Sequence, residues 1–125
     1  MNKITVIGSG RVGSTIAYSL TCRGLADEIV IIDIDGSKAL GEALDIRQGL
    51  AFDSSCKVYA GTYADAKNSD IVILTSGIAR KPGQSRLELI KTNISIQESI
   101  IADITKSAPD AVYIMVSNPV DILTY

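Results

Sequence analysis

Gly8, Gly10 and Gly13 stand in a Gly-x-Gly-x-x-Gly spacing, Gly8-Ser9-Gly10-Arg11-Val12-Gly13, between an apolar run and a segment with helical spacing. Each glycine has a physical task in that setting. Gly8 permits a tight turn, Gly10 lets a pyrophosphate approach the backbone, and Gly13 lets a helix lie close to a strand. A helix opening there offers its unpaired N–H groups and positive dipole end to phosphate. Turns of many kinds collect glycine, so the pattern gains its weight from its position between strand and helix. Asp33 ends the next apolar run, twenty residues after Gly13. That is where an acid hydrogen-bonds the ribose hydroxyls of a bound dinucleotide. A carboxylate there repels a 2′-phosphate, and Ile34 to Ser37 hold no arginine to neutralise one, which favours NAD over NADP. Two alternatives stay open: Asp33 and Asp35 as a plain solvated strand end, and an adenosyl-cofactor site of the methyltransferase kind. The third glycine inside the helix argues for the dinucleotide.

A second group of residues suits carboxylates. The segment Ser76-Gly77-Ile78-Ala79-Arg80-Lys81-Pro82-Gly83-Gln84-Ser85-Arg86 is long for a strand-to-helix connection. Pro82-Gly83 gives it a turn. Arg80 and Arg86 give it two guanidinium forks, enough for two carboxylates or for one carboxylate and a polarised carbonyl. An ordinary solvated surface loop would have the same composition.

These residues need strands and helices to hold them. Lys3 to Gly8, Glu28 to Asp33, Lys57 to Ala60, Asp70 to Thr75 and Ala111 to Val116 are five apolar runs whose continuous rather than alternating character fits strands buried on both faces. Arg11 to Arg23 reads as a helix with Val12, Ile16 and Leu20 four residues apart and Gly24 as its stop. Ser37 is the expected cap of a second helix running to about Leu50, with Ala39, Ala43, Leu44 and Ile46 for packing and Glu42 and Asp45 on its surface. Arg86 to Ser107 is a third, with Leu87, Ile90, Ile94, Ile101 and Ile104 spaced by threes and fours and Pro109 blocking continuation. Alternating strands and helices predict right-handed βαβ units around a parallel sheet. Asn118 to Tyr125 reads as a loop leading into a further amphipathic helix that the chain leaves after about one turn. The expectation is therefore a fragment, ending after the fifth strand.

Composition narrows the partners. The 125 residues are 46% hydrophobic and 5% aromatic, enough for an aliphatic core in one domain. A net charge of −2 with scattered Lys and Arg gives no reason to expect nucleic acid. Cys22 and Cys56 have neither disulfide-framework nor zinc-ligand spacing, so no metal is expected. The apolar runs are too short to cross a membrane, and the Met-Asn-Lys start has no cationic leader, which points to a cytoplasmic protein.

Taken together, GSGRVGS, EIVIIDID, GEALDI, SGIARKPGQSR and SNPVDILTY resemble, in order and along essentially the whole chain, the lactate and malate dehydrogenase family. The resemblance implies a Rossmann-type doubly wound α/β domain over residues 1–125, with NAD as cofactor. It implies cofactor contacts at Gly8, Ser9, Gly10, Arg11, Val12, Gly13, Asp33, Gly77, Asn93, Val116, Ser117 and Asn118. Arg86 matches the arginine that polarises the substrate carbonyl, and Asn118 the asparagine that hydrogen-bonds substrate. An Asx turn before Pro119 is compatible with that role. Arg80 occupies the specificity position, typically arginine in malate and glutamine in lactate enzymes, so malate is the expected substrate and lactate the alternative. The partner is a small 2-hydroxy or 2-oxo acid, and a homo-oligomer is implied for the full-length form.

The family also uses a histidine–aspartate pair to move the proton and a further arginine to clamp the substrate carboxylate. This chain contains no histidine. The expectation is that it binds NAD without appreciable turnover, since a positioned acid–base group contributes about 10²–10⁴-fold. A free-standing NAD-binding module, or a second chain supplying the histidine, are the competing readings. Ile122, Leu123 and Tyr125, set to pack against further structure, favour the fragment.

Overall fold

Ile and Val dominate the five runs, and the computed structural model, which describes residues 2–50 and 55–125, joins all five into one parallel sheet. β1 (Lys3–Ile7), β2 (Glu28–Ile32), β3 (Lys57–Ala60), β4 (Ile71–Leu74) and β5 (Val112–Met115) lie in the order β3-β2-β1-β4-β5. Register runs unbroken, with Ile4 opposite Ile29 and Ile71, and Ile73 opposite Ile114. The helices are α1 (Arg11–Cys22), α2 (Gly36–Gly49), α3 (Arg86–Ser107) and the short α4 (Val120–Thr124). A 3-10 turn at Tyr63–Ala66, unforeseen in the sequence, closes on its own Thr62–Asp65 capping box. This is a Rossmann-type doubly wound α/β fold, whose strand order reverses between β1 and β4 and so opens a crevice at their carboxyl ends.

Each face of the sheet carries its own aliphatic layer. Ile4, Val6, Ile29, Ile31 and Val58 cluster with Ala17 of α1 and with Ala39, Ala43 and Ile46 of α2. Ile7, Val30, Ile32, Val72 and Leu74 cluster with Ile100 and Ile104 of α3. β1 and β2 are thus buried on both faces, as expected. β5 is not: Val112 is 63% exposed and Ile114 is also open.

Three details of the helices differ from expectation. α1 turns Gly13, Ala17 and Thr21 inward, while Val12 is half-exposed and Ile16 and Leu20 only flank the core. Small residues let this helix sit close to the strands, which the hydrophobic spacing did not reveal. α2 begins two residues early, because the Asp35 side chain, not Ser37, accepts from the Lys38 N–H. Leu44 of α2 and Leu87 of α3 are exposed, and the buried stripe of α3 includes Asn93 and Gln97. Among the described residues no helix is long and apolar enough to cross a membrane.

Candidate functional site

The glycine loop sits at the carboxyl end of β1, and its three glycines do different work. Gly8 has φ +100°, and a Cβ there would lie 2.6 Å from Thr75 Oγ1. A Cβ on Gly13 would lie 1.8 Å from the Gly8 carbonyl oxygen, so the first turn of α1 rests directly on the loop. Gly10 differs: a Cβ would meet nothing within 4 Å. It is the N-cap of α1 and provides no side-chain cap, which leaves the positive end of that helix for an anion. Arg11 and Val12 are exposed beside it. The loop is therefore compatible with a pyrophosphate, with two glycines taken up by packing and one leaving open space in front of the backbone at the helix start.

Asp33, just past β2, is tied to the loop. Its Oδ2 accepts both the N–H and the hydroxyl of Ser9, each at 2.7 Å, and its Oδ1 accepts the Asp35 N–H at 2.9 Å. Partial burial pushes this carboxyl up, but the Ser9 amide, the Asp35 amide, the Ser9 hydroxyl and the Lys38 charge outweigh it. Asp33 is held below the ordinary carboxylate range. It is an anion with fixed orientation whose Oδ1 keeps an acceptor position for a ribose hydroxyl. Ser9 itself is fully buried, so its side chain serves Asp33 rather than facing a phosphate.

On the other side of the crevice, β4 and β5 deliver two backbone segments. Thr75 Oγ1 donates to the Ile7 carbonyl at 2.9 Å and approaches that of Gly8 at 3.1 Å, tying β4 to the glycine loop. Val116 and Ser117 donate their N–H groups to Leu74 O at 2.9 and 3.2 Å. Asn93, expected as a cofactor contact, is 3% exposed. Its Oδ1 accepts the Ile78 N–H at 3.0 Å and its Nδ2 lies 3.5 Å from the Asn118 carbonyl. Gly77 is exposed next to it, with a would-be Cβ in ordinary contact with Asn93 Oδ1 at 3.5 Å. Asn118 is exposed, and its peptide bond to Pro119 is cis.

Both arginines are exposed. Arg86 is the first residue of α3, behind a capping box in which Ser85 Oγ accepts the Glu88 N–H and Glu88 Oε2 accepts the Ser85 N–H. Arg80 Nε donates to the Gln84 carbonyl at 3.0 Å, across the expected turn at Gly83, φ +81°. Among the described residues no hydrogen bond joins either arginine to Asn118. The structure thus brings Ser9 to Asp33 and Asn93 to Asn118, and leaves the arginines on their own loop. Sequence reasoning missed Thr75 and Gln97. For Gln97 a signal existed: Asn93 and Gln97 interrupt an apolar helix stripe four residues apart, on the face that turns inward.

The family description matching residues 2–125 is lactate/malate dehydrogenase, NAD binding domain. An L-lactate dehydrogenase of Thermoanaerobacter pseudethanolicus is 53% identical over 125 residues, covering 100% of this chain and 40% of its own length. Among solved structures, the minor L-lactate dehydrogenase of Enterococcus mundtii in its ligands-bound form superposes with TM-score 0.95 at 44% identity. That match covers 99% of this chain and 40% of that one. The malate dehydrogenase of Archaeoglobus fulgidus in complex with NADH gives TM-score 0.94 at 39% identity, over 98% of this chain and 42% of that one. The chain spans about two fifths of the length of the relatives it matches.

Proposed function

Since this chain belongs to the lactate/malate dehydrogenase family, matched over residues 2–125 by its NAD-binding domain, we propose that it holds NAD across the carboxyl ends of β1, β2, β4 and β5 for hydride exchange with a small L-2-hydroxy acid. The observation that carries this reading is the uncapped opening of α1 at Gly10, with open space before the backbone and the oriented Asp33 carboxylate on the neighbouring strand. NAD, when bound, supplies the hydride acceptor or donor.

The chain's own residues divide the remaining work. The backbone from Gly8 to Gly13 binds pyrophosphate, with Arg11 and Val12 exposed at the edge of that site. Asp33 takes a ribose hydroxyl through Oδ1 and repels a 2′-phosphate. Gly77, Val116, Ser117 and Asn118 line the nicotinamide end, and Asn93 acts on it through the backbone it holds. Arg86 polarises the substrate carbonyl, and Asn118 hydrogen-bonds the substrate. No residue of the 125 is a histidine, so proton transfer is assigned to groups outside this chain, which alone binds NAD without turnover. The homo-oligomer and the cytoplasmic setting belong to the same proposal.

Lactate is the better-supported acid, because the 53% identical relative is an L-lactate dehydrogenase. The expectation of malate rests on Arg80, whose second guanidinium would pair a dicarboxylate, and it stands as the second reading for that reason. The deciding experiment for substrate compares kcat/KM for pyruvate and oxaloacetate in the full-length enzyme and its Arg80→Gln variant. For the cofactor, calorimetric titration of this chain with NADH and NADPH, repeated on Asp33→Ala, is the test. Saturable binding with NADH preferred, and that preference lost in the variant, supports the reading. No binding to a folded sample ends it.

A further inference from the structure

Gln97 lies in the fourth turn of α3 and is 3% exposed, within a buried helix face shared with Asn93, Ile100 and Ile104. Its Nε2 donates to the Ser76 carbonyl at 2.6 Å and lies 3.3 Å from Ser117 Oγ. The Ser117 hydroxyl, itself 8% exposed, donates to the same Ser76 carbonyl at 2.6 Å. A carbonyl oxygen only accepts, so the amide nitrogen of Gln97 must face it. That orientation leaves Gln97 Oε1 buried with no hydrogen-bond partner among the described residues.

An apolar side chain would avoid that buried acceptor. The gain that offsets it is local. Leu74 is the last residue of β4 whose carbonyl takes backbone N–H groups from the β5 side, those of Val116 and Ser117. Beyond those bonds no backbone–backbone hydrogen bond joins the two segments among the described residues. Side chains set the rest of their spacing: Ser117 Oγ donates to Ser76 O at 2.6 Å and lies 3.3 Å from Leu74 O, and two α3 side chains one turn apart brace that link. Gln97 joins Ser76 to Ser117, and Asn93 joins Ile78 to Asn118.

We infer that Gln97 is a positioning residue for the nicotinamide end of the site, fixing the gap between residues 76–78 and 117–118 from inside α3. The inference rests on the proposed reading that a dinucleotide lies across these strand ends. It separates the two halves of the ligand: the adenosine and phosphates meet the glycine loop and Asp33, at the ends of β1 and β2, to which Gln97 makes no hydrogen bond among the described residues. Loss of the clamp therefore changes recognition of nicotinamide and leaves the rest of the cofactor in place.

The experiment titrates the chain with NADH and with ADP-ribose, which lacks only the nicotinamide. Wild type is compared with Gln97→Met, Ser117→Ala and the double variant, by calorimetry and by nicotinamide fluorescence. The expected result is NADH affinity weaker by about fivefold or more in each single variant, ADP-ribose affinity within about twofold of wild type, and a double variant at least as weak as either single one, because Ser117 Oγ also donates to Ser76 O directly. Equal loss of both ligands assigns Gln97 a merely structural role and overturns the inference. So does unchanged NADH affinity in Gln97→Met. Wild type that binds neither ligand overturns the dinucleotide reading, and this inference with it, whereas wild type that binds both while the variants bind as wild type overturns the inference alone.

Discussion

Ser9 gives one oxygen of Asp33 two hydrogen bonds, from its backbone N–H and from its hydroxyl, each 2.7 Å long. The glycine loop and Asp33 are therefore held together as one unit. Ser9→Ala removes the hydroxyl bond alone. At neutral pH the variant is expected to lose about 1.5 kcal/mol, the lower end for a bond to a charged group because Asp33 is partly exposed. Asp33 has its folded pKa depressed, so the stability it gives is present above its ordinary value of 3.8 and lost as pH falls through the folded value. The gap between wild type and variant should thus hold at pH 7 and narrow below about pH 4. Urea unfolding at both pH values measures it, and a gap independent of pH refutes the charge-assisted reading.

Gly10 and Gly13 should respond to the same substitution in opposite ways. Gly13→Ala places a Cβ 1.8 Å from the Gly8 carbonyl oxygen, a backbone atom that cannot swing aside. A loss of about 3 kcal/mol or more, with loss of NADH binding, is expected. Gly10→Ala meets nothing within 4 Å. Its stability should stay within about 1 kcal/mol of wild type, the difference being the poorer N-cap preference of alanine. NADH affinity should nevertheless fall at least about tenfold, roughly 1.4 kcal/mol, because the new methyl stands where the pyrophosphate approaches. Thermal unfolding with parallel titration separates the two, and a Gly10→Ala variant that binds as wild type removes that loop from the phosphate site.

These effects show what could and could not be read from the chain. The five strands were legible because continuous β-branched runs suit a doubly covered parallel sheet, and the position of Asp33 at the end of the second one followed from them. The inward face of α1 was not: hydrophobic spacing selects Val12, Ile16 and Leu20, whereas close packing selects Gly13, Ala17 and Thr21 for their small size. The start of α2 was missed because Asp33 already bonds the Asp35 N–H and turns the chain, so that Asp35 caps before Ser37 can. The partners of Ser9 and of Gln97 were hidden for a related reason, although both residues could be singled out locally. Each acts on a partner 20 or more residues away, Asp33 for one and Ser76 and Ser117 for the other, and no local pattern encodes such a meeting.

The capping box at Ser85 should control the segment that presents Arg86. Ser85→Ala removes the acceptor for the Glu88 N–H and leaves that first-turn donor to water. A loss of about 1 kcal/mol is expected, confined to the start of α3 because the helix is anchored farther along by Ile100 and Ile104. Amide hydrogen exchange should accelerate at residues 87–89 and stay unchanged at residues 100–104. Uniform acceleration along α3 would mean that the helix opens as one unit, and that the cap has no separate hold on Arg86.

At the far edge of the sheet, Tyr59 donates its hydroxyl to Glu28, which also pairs with Lys3 at 3.1 Å. The Tyr59 hydrogen bond pulls the Glu28 carboxyl down against the opposing effect of burial, with help from the charges of Lys3 and Lys57. Burial, then the bond and charge of Glu28, pushes Tyr59 well above its ordinary value of 10.0. Glu28 therefore stabilises the fold above its ordinary value of 4.5, an effect lost as pH falls through the depressed one. Protonated Tyr59 stabilises it up to pH 10.0, and that effect is lost as pH rises toward the raised value. Tyr59→Phe removes both at once. The variant should be less stable by about 1 kcal/mol after allowance for solvent screening, on a plateau between the two ordinary values, with the deficit shrinking in acid and in alkali. Urea unfolding from pH 3 to pH 11 follows the curve. A variant as stable as wild type at neutral pH would show that the tyrosine contributes by its ring, which phenylalanine keeps, against the Lys57 ammonium 4.8 Å from the ring centre, and that the Glu28 hydrogen bond adds nothing.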